Sequence, residues 1–207
     1  MKETRQYKRE RILEAAFRIF IEQGYARAKM SAIAKRAGFG KSTLYDYFES
    51  KDEIFEEILQ TKLVDPYFAL SSVVETQASA AERLRAFLTA EIEWFLEYNR
   101  DGGLLPTVMT NPEFIVSPIL RKLICSVLEY KFRLVRRLVE EGMASGEFRA
   151  EDPDISAIRI IGASNAFSAA VSNSVRYGYG AERLPGISYD ETARESFFSG
   201  LFHGLLP

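Results

Sequence analysis

One cysteine and one histidine are all that this 207-residue chain carries of the two commonest metal ligands. Cys125 alone excludes an internal disulfide and a thiolate metal cluster. His203 alone excludes His-based metal sites and most catalytic triads. Glycine is present, but no phosphate-cradling loop: Gly38-Phe39-Gly40-Lys41 lacks both the spacing and the preceding strand that such a loop needs. No run of about 18 apolar residues occurs, so no membrane span is expected. The N-terminal stretch through Arg11 is polar and has no apolar core, which reads as no secretory signal and a cytoplasmic protein. Glu91 and Glu93 are two apart on a helical pattern and point to different faces, so they form no acid–base pair. The sequence offers no catalytic residues, no metal site and no cofactor site.

What is present is helix. Apolar residues make up 47% and charged residues 27% of the chain, ordinary values for a globular protein. The net charge of −2 conceals an asymmetry. Residues 1–51 carry 12 Lys and Arg against six Asp and Glu, and the remainder carries 15 against 23. A basic head on an acidic body suits a nucleic-acid-binding module joined to something else.

The stretch Ser31 to Lys51 organises the head. Ile33, Ala34 and Ala37 give a first short helix a narrow apolar face. Gly38 stands where a left-handed residue ends such a helix, and Phe39 follows as its hydrophobic contact. A second helix, about Ser42 to Phe48, turns Leu44 and Phe48 inward and leaves Lys41, Ser42, Thr43, Tyr45 and Tyr47 outside. This is helix-turn-helix spacing, with a second helix slim enough for a DNA major groove. Hydroxyls and a lysine, rather than Glu–Lys pairs, suit phosphate oxygens and base edges. A preceding helix, about Lys8 to Gln23, carries Leu13, Ala16, Phe17 and Phe20 and closes at Gly24.

Residues 33 to 55, with the core Leu44-Tyr45-x-x-Phe48-x-x-Lys51 after a helix ending in Gly24-Tyr25, resemble the N-terminal signature of the TetR family of transcriptional regulators. The likeness covers roughly the first 60 residues. It departs from the family at Ala28-Lys29 and at Gly40, positions where the family favours Ser or Thr. The resemblance implies that Lys41, Ser42 and Thr43 face base edges while Tyr45, Tyr47 and Lys51 hold phosphates. It also implies a homodimer built through the last two long helices, a double-stranded palindromic operator, and a small-molecule effector that releases a repressor.

The remainder is helical without a convincing strand. Ser50 with Glu53, Ser79 with Glu82, and Ser188 with Glu191 read as capping boxes. Pro66 is expected to end or kink the helix that starts at Lys51. A long helix to about Asn99 is apolar on two stripes, Leu84, Leu88, Ile92, Phe95 and Phe87, Ala90, Trp94, Tyr98, and is therefore buried. Another, opened at Pro118, points Leu120, Leu123, Ile124, Val127, Leu134 and Leu138 inward, with glycines at 142 and 146 breaking it. Asp152-Pro153 opens a helix rich in small residues, and an aromatic helix ends the chain. The rings in the middle, among them Tyr67, Phe68, Trp94, Phe95, Tyr98, Phe114 and Tyr130, are enough to line a cavity. Glu91, Thr107 or Glu129 would orient a mostly apolar ligand there.

The reading is thus an all-α protein. Residues 1–50 form a three-helix helix-turn-helix DNA-binding domain, and residues 51–207 form a helical bundle for ligand binding and dimerisation. An all-helical small-molecule carrier or enzyme without DNA binding is the alternative.

Overall fold

The computed structural model describes residues 4–75, 79–98, 117–177 and 189–206, with side chains omitted for 172–177. Every regular element among them is helical. The chain divides into two compact units, Met1–Pro66 with Thr107–Cys125, and Tyr67–Pro106 with Ser126–Pro207.

In the first unit, α1 spans Arg5–Gln23, α2 Met30–Ala37, α3 Lys41–Tyr45 and α4 Lys51–Leu59. Helix α1 starts three residues earlier than its apolar pattern suggests, because Thr4 Oγ1 accepts from the Tyr7 amide at 3.2 Å and caps it. Gly24 ends α1 at φ 82°. Gly38, at φ 79°, ends α2 in a paired-bond stop: its amide donates to Lys35 O at 3.2 Å and the Phe39 amide to Ala34 O at 2.9 Å. Only glycine takes that left-handed conformation without strain. Helix α3 is a single short turn, shorter than the sequence suggests, and Asp46 and Tyr47 continue it as a turn. Leu44 (0% exposed) and Phe48 (1%) are buried, as are Ile12 and Ala16 of α1 and Ile33 and Ala37 of α2. Phe20, Tyr25 and Phe55 form a triangle of rings with centroids 5.0–5.8 Å apart, which secures α4 to the end of α1.

Ser50 Oγ accepts from the Glu53 amide at 3.2 Å, and the Glu53 carboxylate reaches back to the Glu49 amide at 2.7 Å. The residue-50 boundary of the sequence reading therefore falls at the cap of α4, whereas the compact unit runs on to Pro66. Between α4 and Pro66 the chain is π-helical, Gln60–Val64. Pro66 has no amide to donate and its ring would clash with the carbonyl four residues back, so the helix widens there.

In the second unit, α5 (Asp65–Ala69) passes through a 3₁₀ turn, Leu70–Val74, before α6 (Ala80–Tyr98). Ser79 and Glu82 exchange capping bonds of 3.2 and 3.0 Å. Helix α7 spans Pro118–Ser145 and belongs to this unit from Ser126 onward; α8 spans Pro153–Tyr177 and α9 Glu191–His203. The core is Leu84, Phe87, Leu88 and Ile92 of α6 against Leu134, Val135, Leu138 and Val139 of α7, Ala157 and Ile160 of α8, and Phe198 of α9.

Two expectations change. Gly142 does not break α7; it sits inside it, where a Cβ would stand 2.2 Å from the Phe148 ring, and Gly146 (φ 79°) makes the actual stop. Asp190, whose carboxylate accepts from the Ala193 amide at 2.8 Å, caps α9. Ser188 lies outside the described residues.

Candidate nucleic-acid interface and buried polar cavity

Lys41, Ser42 and Tyr45 are exposed on α3, and Thr43 and the following Tyr47 are half-buried, so five of the six residues expected at DNA share one short surface. Lys41 Nζ lies 5.7 Å from the Tyr45 ring centroid. Around this surface α1 adds charge that sequence reasoning largely missed. The Arg5 guanidinium sits 5.7 Å from the Tyr47 ring, and Lys8 and Arg11 lie 5.8 and 5.0 Å from the Phe39 ring. Their spacing of three residues along α1 was the available signal, since it places them on one face. Arg9 is used internally: it donates to Glu57 Oε1 at 2.6 Å and to Tyr47 O at 3.3 Å. The Glu57 hydrogen bond holds the guanidinium pKa above its usual value. That pair fixes the backbone just after α3 against α4.

Lys51 is the sixth residue, and the structure turns it inward. Its Nζ donates to Tyr25 O at 2.9 Å and Ala26 O at 3.1 Å and lies 4.5 Å from the Tyr25 ring. Tyr25 in turn donates its phenol to Asp52. The first two residues of α4 thus clamp the turn that leaves α1, which gives the lysine a structural task.

In the second unit, Glu91 is the one buried carboxylate among the described residues (7% exposed). Its Oε1 accepts from Tyr67 Oη and from Lys131 Nζ, each at 2.7 Å, and its Oε2 from Ser164 Oγ at 3.3 Å. Lys131, itself 2% exposed, also donates to Asn165 Oδ1 at 2.8 Å. Burial pulls the Lys131 pKa down, with Glu91 opposing it. Desolvation first, then the Glu91 charge, pushes the Tyr67 phenol well above its usual value, so it stays a hydrogen-bond donor. Lys131 was legible in hindsight: positions 120, 124, 127, 131, 134 and 138 form one stripe, apolar except at 131.

Beside this node lies a cavity of about 110 Å³ lined by Glu91, Trp94, Phe95, Asn165 and Ser168. Tyr98 supports it by stacking on Trp94 at 4.8 Å, and Tyr67 meets the other side of Trp94 edge-on at 5.2 Å. The rings mostly pack on one another; Phe68 and Tyr130, for instance, are 4.7 Å apart. Glu129 is a correction: it is exposed and pairs with Arg133 at 3.1 Å, because its place on α7 faces solvent. Thr107 and Phe114 lie outside the described residues. A larger open cleft of about 530 Å³ is lined by Arg83, Tyr130, Arg133 and Arg137 among others. Its arginines are already paired with Glu129 and Glu141.

A three-helix head presenting a short polar helix within a basic rim, followed by an all-helical body, defines a helix-turn-helix DNA-binding protein. Residues 12–58 match the model for bacterial regulatory proteins of the tetR family, and residues 77–169 match the tetracyclin repressor-like C-terminal domain. The chain belongs to the tetR family, and it is a DNA-binding transcriptional regulator rather than an enzyme. It is 28% identical to an uncharacterised HTH-type transcriptional regulator, YhgD of Bacillus subtilis, over 70% of this chain and 74% of that protein. It is 26% identical to the HTH-type transcriptional repressor DhaR of Mycobacterium sp. strain GP1, over 72% and 74% respectively. A transcriptional regulator of Saccharomonospora viridis, solved in complex with choline, shares the fold at a TM-score of 0.65. That likeness runs at 24% identity and covers 98% of this chain and 100% of the other.

Proposed function

We propose that the protein is a homodimeric, cytoplasmic repressor that binds a palindromic operator and leaves it when a small molecule occupies the body. Residues 1–50 provide the DNA contact; residues 51–207 bind the ligand and the second copy. Lys41, Ser42 and Thr43 read base edges, while Tyr45, Tyr47 and the Arg5–Lys8–Arg11 face of α1 hold phosphates.

The observation that carries the reading is the short exposed helix α3 set in a basic rim. A short helix seated by Leu44 and Phe48 presents only polar groups outward. The repressor name of a relative supports the direction of control. For the dimer, support comes from α8, where Ile155 (59% exposed) and Ile158 (58%) stand outward with Gly162, Ala166 and Ala169. An uncharged, mostly apolar stripe of that kind is what a two-fold helical interface buries. On α9, Thr192, Ser196, Ser199 and Gly200 are exposed and small as well, beside the exposed Glu191, Glu195 and His203.

Selection of bound duplexes from a random pool tests the proposal. The expected product is an inverted repeat whose half-sites lie about 34–36 Å apart, one helical turn. Recovery of unrelated sequences, all bound alike, would leave only non-specific affinity and defeat it.

A further inference from the structure

Arg9 stands apart from the other basic residues at the start of α1. Arg5, Lys8 and Arg11 lie 5.0–5.8 Å from the rings of Tyr47 and Phe39. The Arg9 guanidinium instead forks onto Glu57 of α4, with Nε donating to Oε1 at 2.6 Å and Nη2 to Oε2. Such a two-bond fork fixes the plane of the guanidinium as well as its place. From that plane Nη1 donates to Tyr47 O at 3.3 Å, and the guanidinium carbon lies 4.4 Å from the Phe48 ring centroid. The chain leaves the α3 turn at Phe48, so both contacts fall where that turn ends. Arg5, four residues earlier on the same face of α1, meets the Tyr47 ring at 5.7 Å. Helix α1 thus holds Tyr47 by ring and by carbonyl. The charge of Arg9 is matched by the Glu57 carboxylate, and the two side chains are 31% and 22% exposed.

We infer that Arg9 and Glu57 are positioning residues for sequence reading: they set the pose of the α3 turn on DNA and touch neither a phosphate nor a base. This role rests on the DNA contact proposed above, in which Lys41, Ser42 and Thr43 meet base edges. A hydrogen bond to a base edge weakens steeply once its donor is misaligned, whereas a cation finds phosphate oxygens from many poses. Loosening the end of a five-residue helix therefore costs preference for the operator and spares general affinity for DNA. Because the Arg9 charge is already matched, removing it together with that of Glu57 changes neither the net charge nor the counterions released on binding.

The test uses the full chain and two duplexes of equal length, an operator selected from a random pool and a scrambled copy of it. Arg9→Gln combined with Glu57→Gln should lower the ratio of operator to scrambled affinity by about ten-fold or more, the loss of one good base contact. On the scrambled duplex the slope of log K against log salt should equal that of the natural chain, whereas a lost phosphate contact would reduce it by about 0.9. Arg9→Lys keeps the charge but has no fork, so the ratio should fall by about five-fold or more while the slope stays. A merely structural part for the pair would remove folded protein from both measurements alike and leave their ratio unmoved. A melt by circular dichroism places the binding temperature below the transition of each variant. Should the double variant not fold, Arg9→Lys decides by the same ratio. An unchanged ratio, or a slope reduced by about 0.9, overturns the inference. A natural chain that prefers no duplex defeats the operator reading and the positioning with it; a preference that the variants keep defeats only the positioning.

Discussion

Lys51→Met separates two tasks for one residue. The family likeness makes Lys51 a phosphate contact, whereas the structure spends its ammonium on Tyr25 O and Ala26 O at 2.9 and 3.1 Å. Methionine keeps the aliphatic stem and removes only the charge. Two hydrogen bonds from a charged donor contribute about 1.5 kcal/mol each at the lower end suited to a half-exposed site. The cation–ring contact at 4.5 Å adds about 0.5 kcal/mol. Ordering the side chain costs about 1.5–2 kcal/mol. The difference is a loss of about 2 kcal/mol, and for a chain of this length each kcal/mol lowers the Tm by about 2–4 °C. The melt followed by circular dichroism should therefore fall by about 4–8 °C. On non-specific duplex DNA, the slope of log K against log salt should stay where it was, since no phosphate partner is lost. Losing a phosphate contact would instead reduce the slope by about 0.9 with little change in melting. That second pattern would refute the inward assignment and restore the contact expected from sequence.

Ile158→Arg places a charge on the exposed stripe of α8; sedimentation should show a monomer and operator affinity should drop by at least ten-fold, whereas an intact dimer removes this face from the interface. Glu151 accepts from Arg159 Nη2 and from Ser156 Oγ, each at 2.5 Å, and the Arg159 hydrogen bond is the main cause that holds its pKa at about 2 in place of 4.5. A depressed carboxylate stabilises the fold above its unfolded pKa and loses that contribution as pH falls, so the Tm gap between the natural chain and Glu151→Gln should be full above about pH 4.5 and close towards pH 2. Because the pair lies at the surface, the gap should correspond to under about 1 kcal/mol, and a gap independent of pH would sink the assignment.

The head was readable because its determinants are local. Gly24 and Gly38 stop helices by their own φ, Ser50 caps a helix through a residue three positions on, and Leu44 and Phe48 are a single turn apart. Asp152 likewise caps α8 two and three residues ahead, onto the Asp154 and Ile155 amides at 2.8 and 3.2 Å. Gly142 was misread for the opposite reason. A glycine in a helical pattern usually signals a stop, but this one makes room for Phe148, and the close approach becomes visible only once the chain has turned at Gly146. The structural bonds of Lys51 were hidden similarly: nothing in residues 51–55 says that two carbonyls 25 and 26 positions earlier wait for its ammonium.

The cavity shows where local reading stops. A lysine on an otherwise apolar stripe announces that a buried acceptor must exist, since an unpaired ammonium there would be prohibitively costly. It does not announce which acceptor, because the body carries many carboxylates and Glu91 is 40 positions away. Glu91 itself was expected to orient a ligand. The structure gives it a lysine, a phenol and a serine hydroxyl instead. That exchange changes the chemistry of the site. A lone carboxylate among rings would have favoured a cation, whereas one already paired with a buried lysine has no net charge to offer. That neutralisation comes from Lys131, a residue that no motif marks and that acts through its contacts with Glu91 and Asn165.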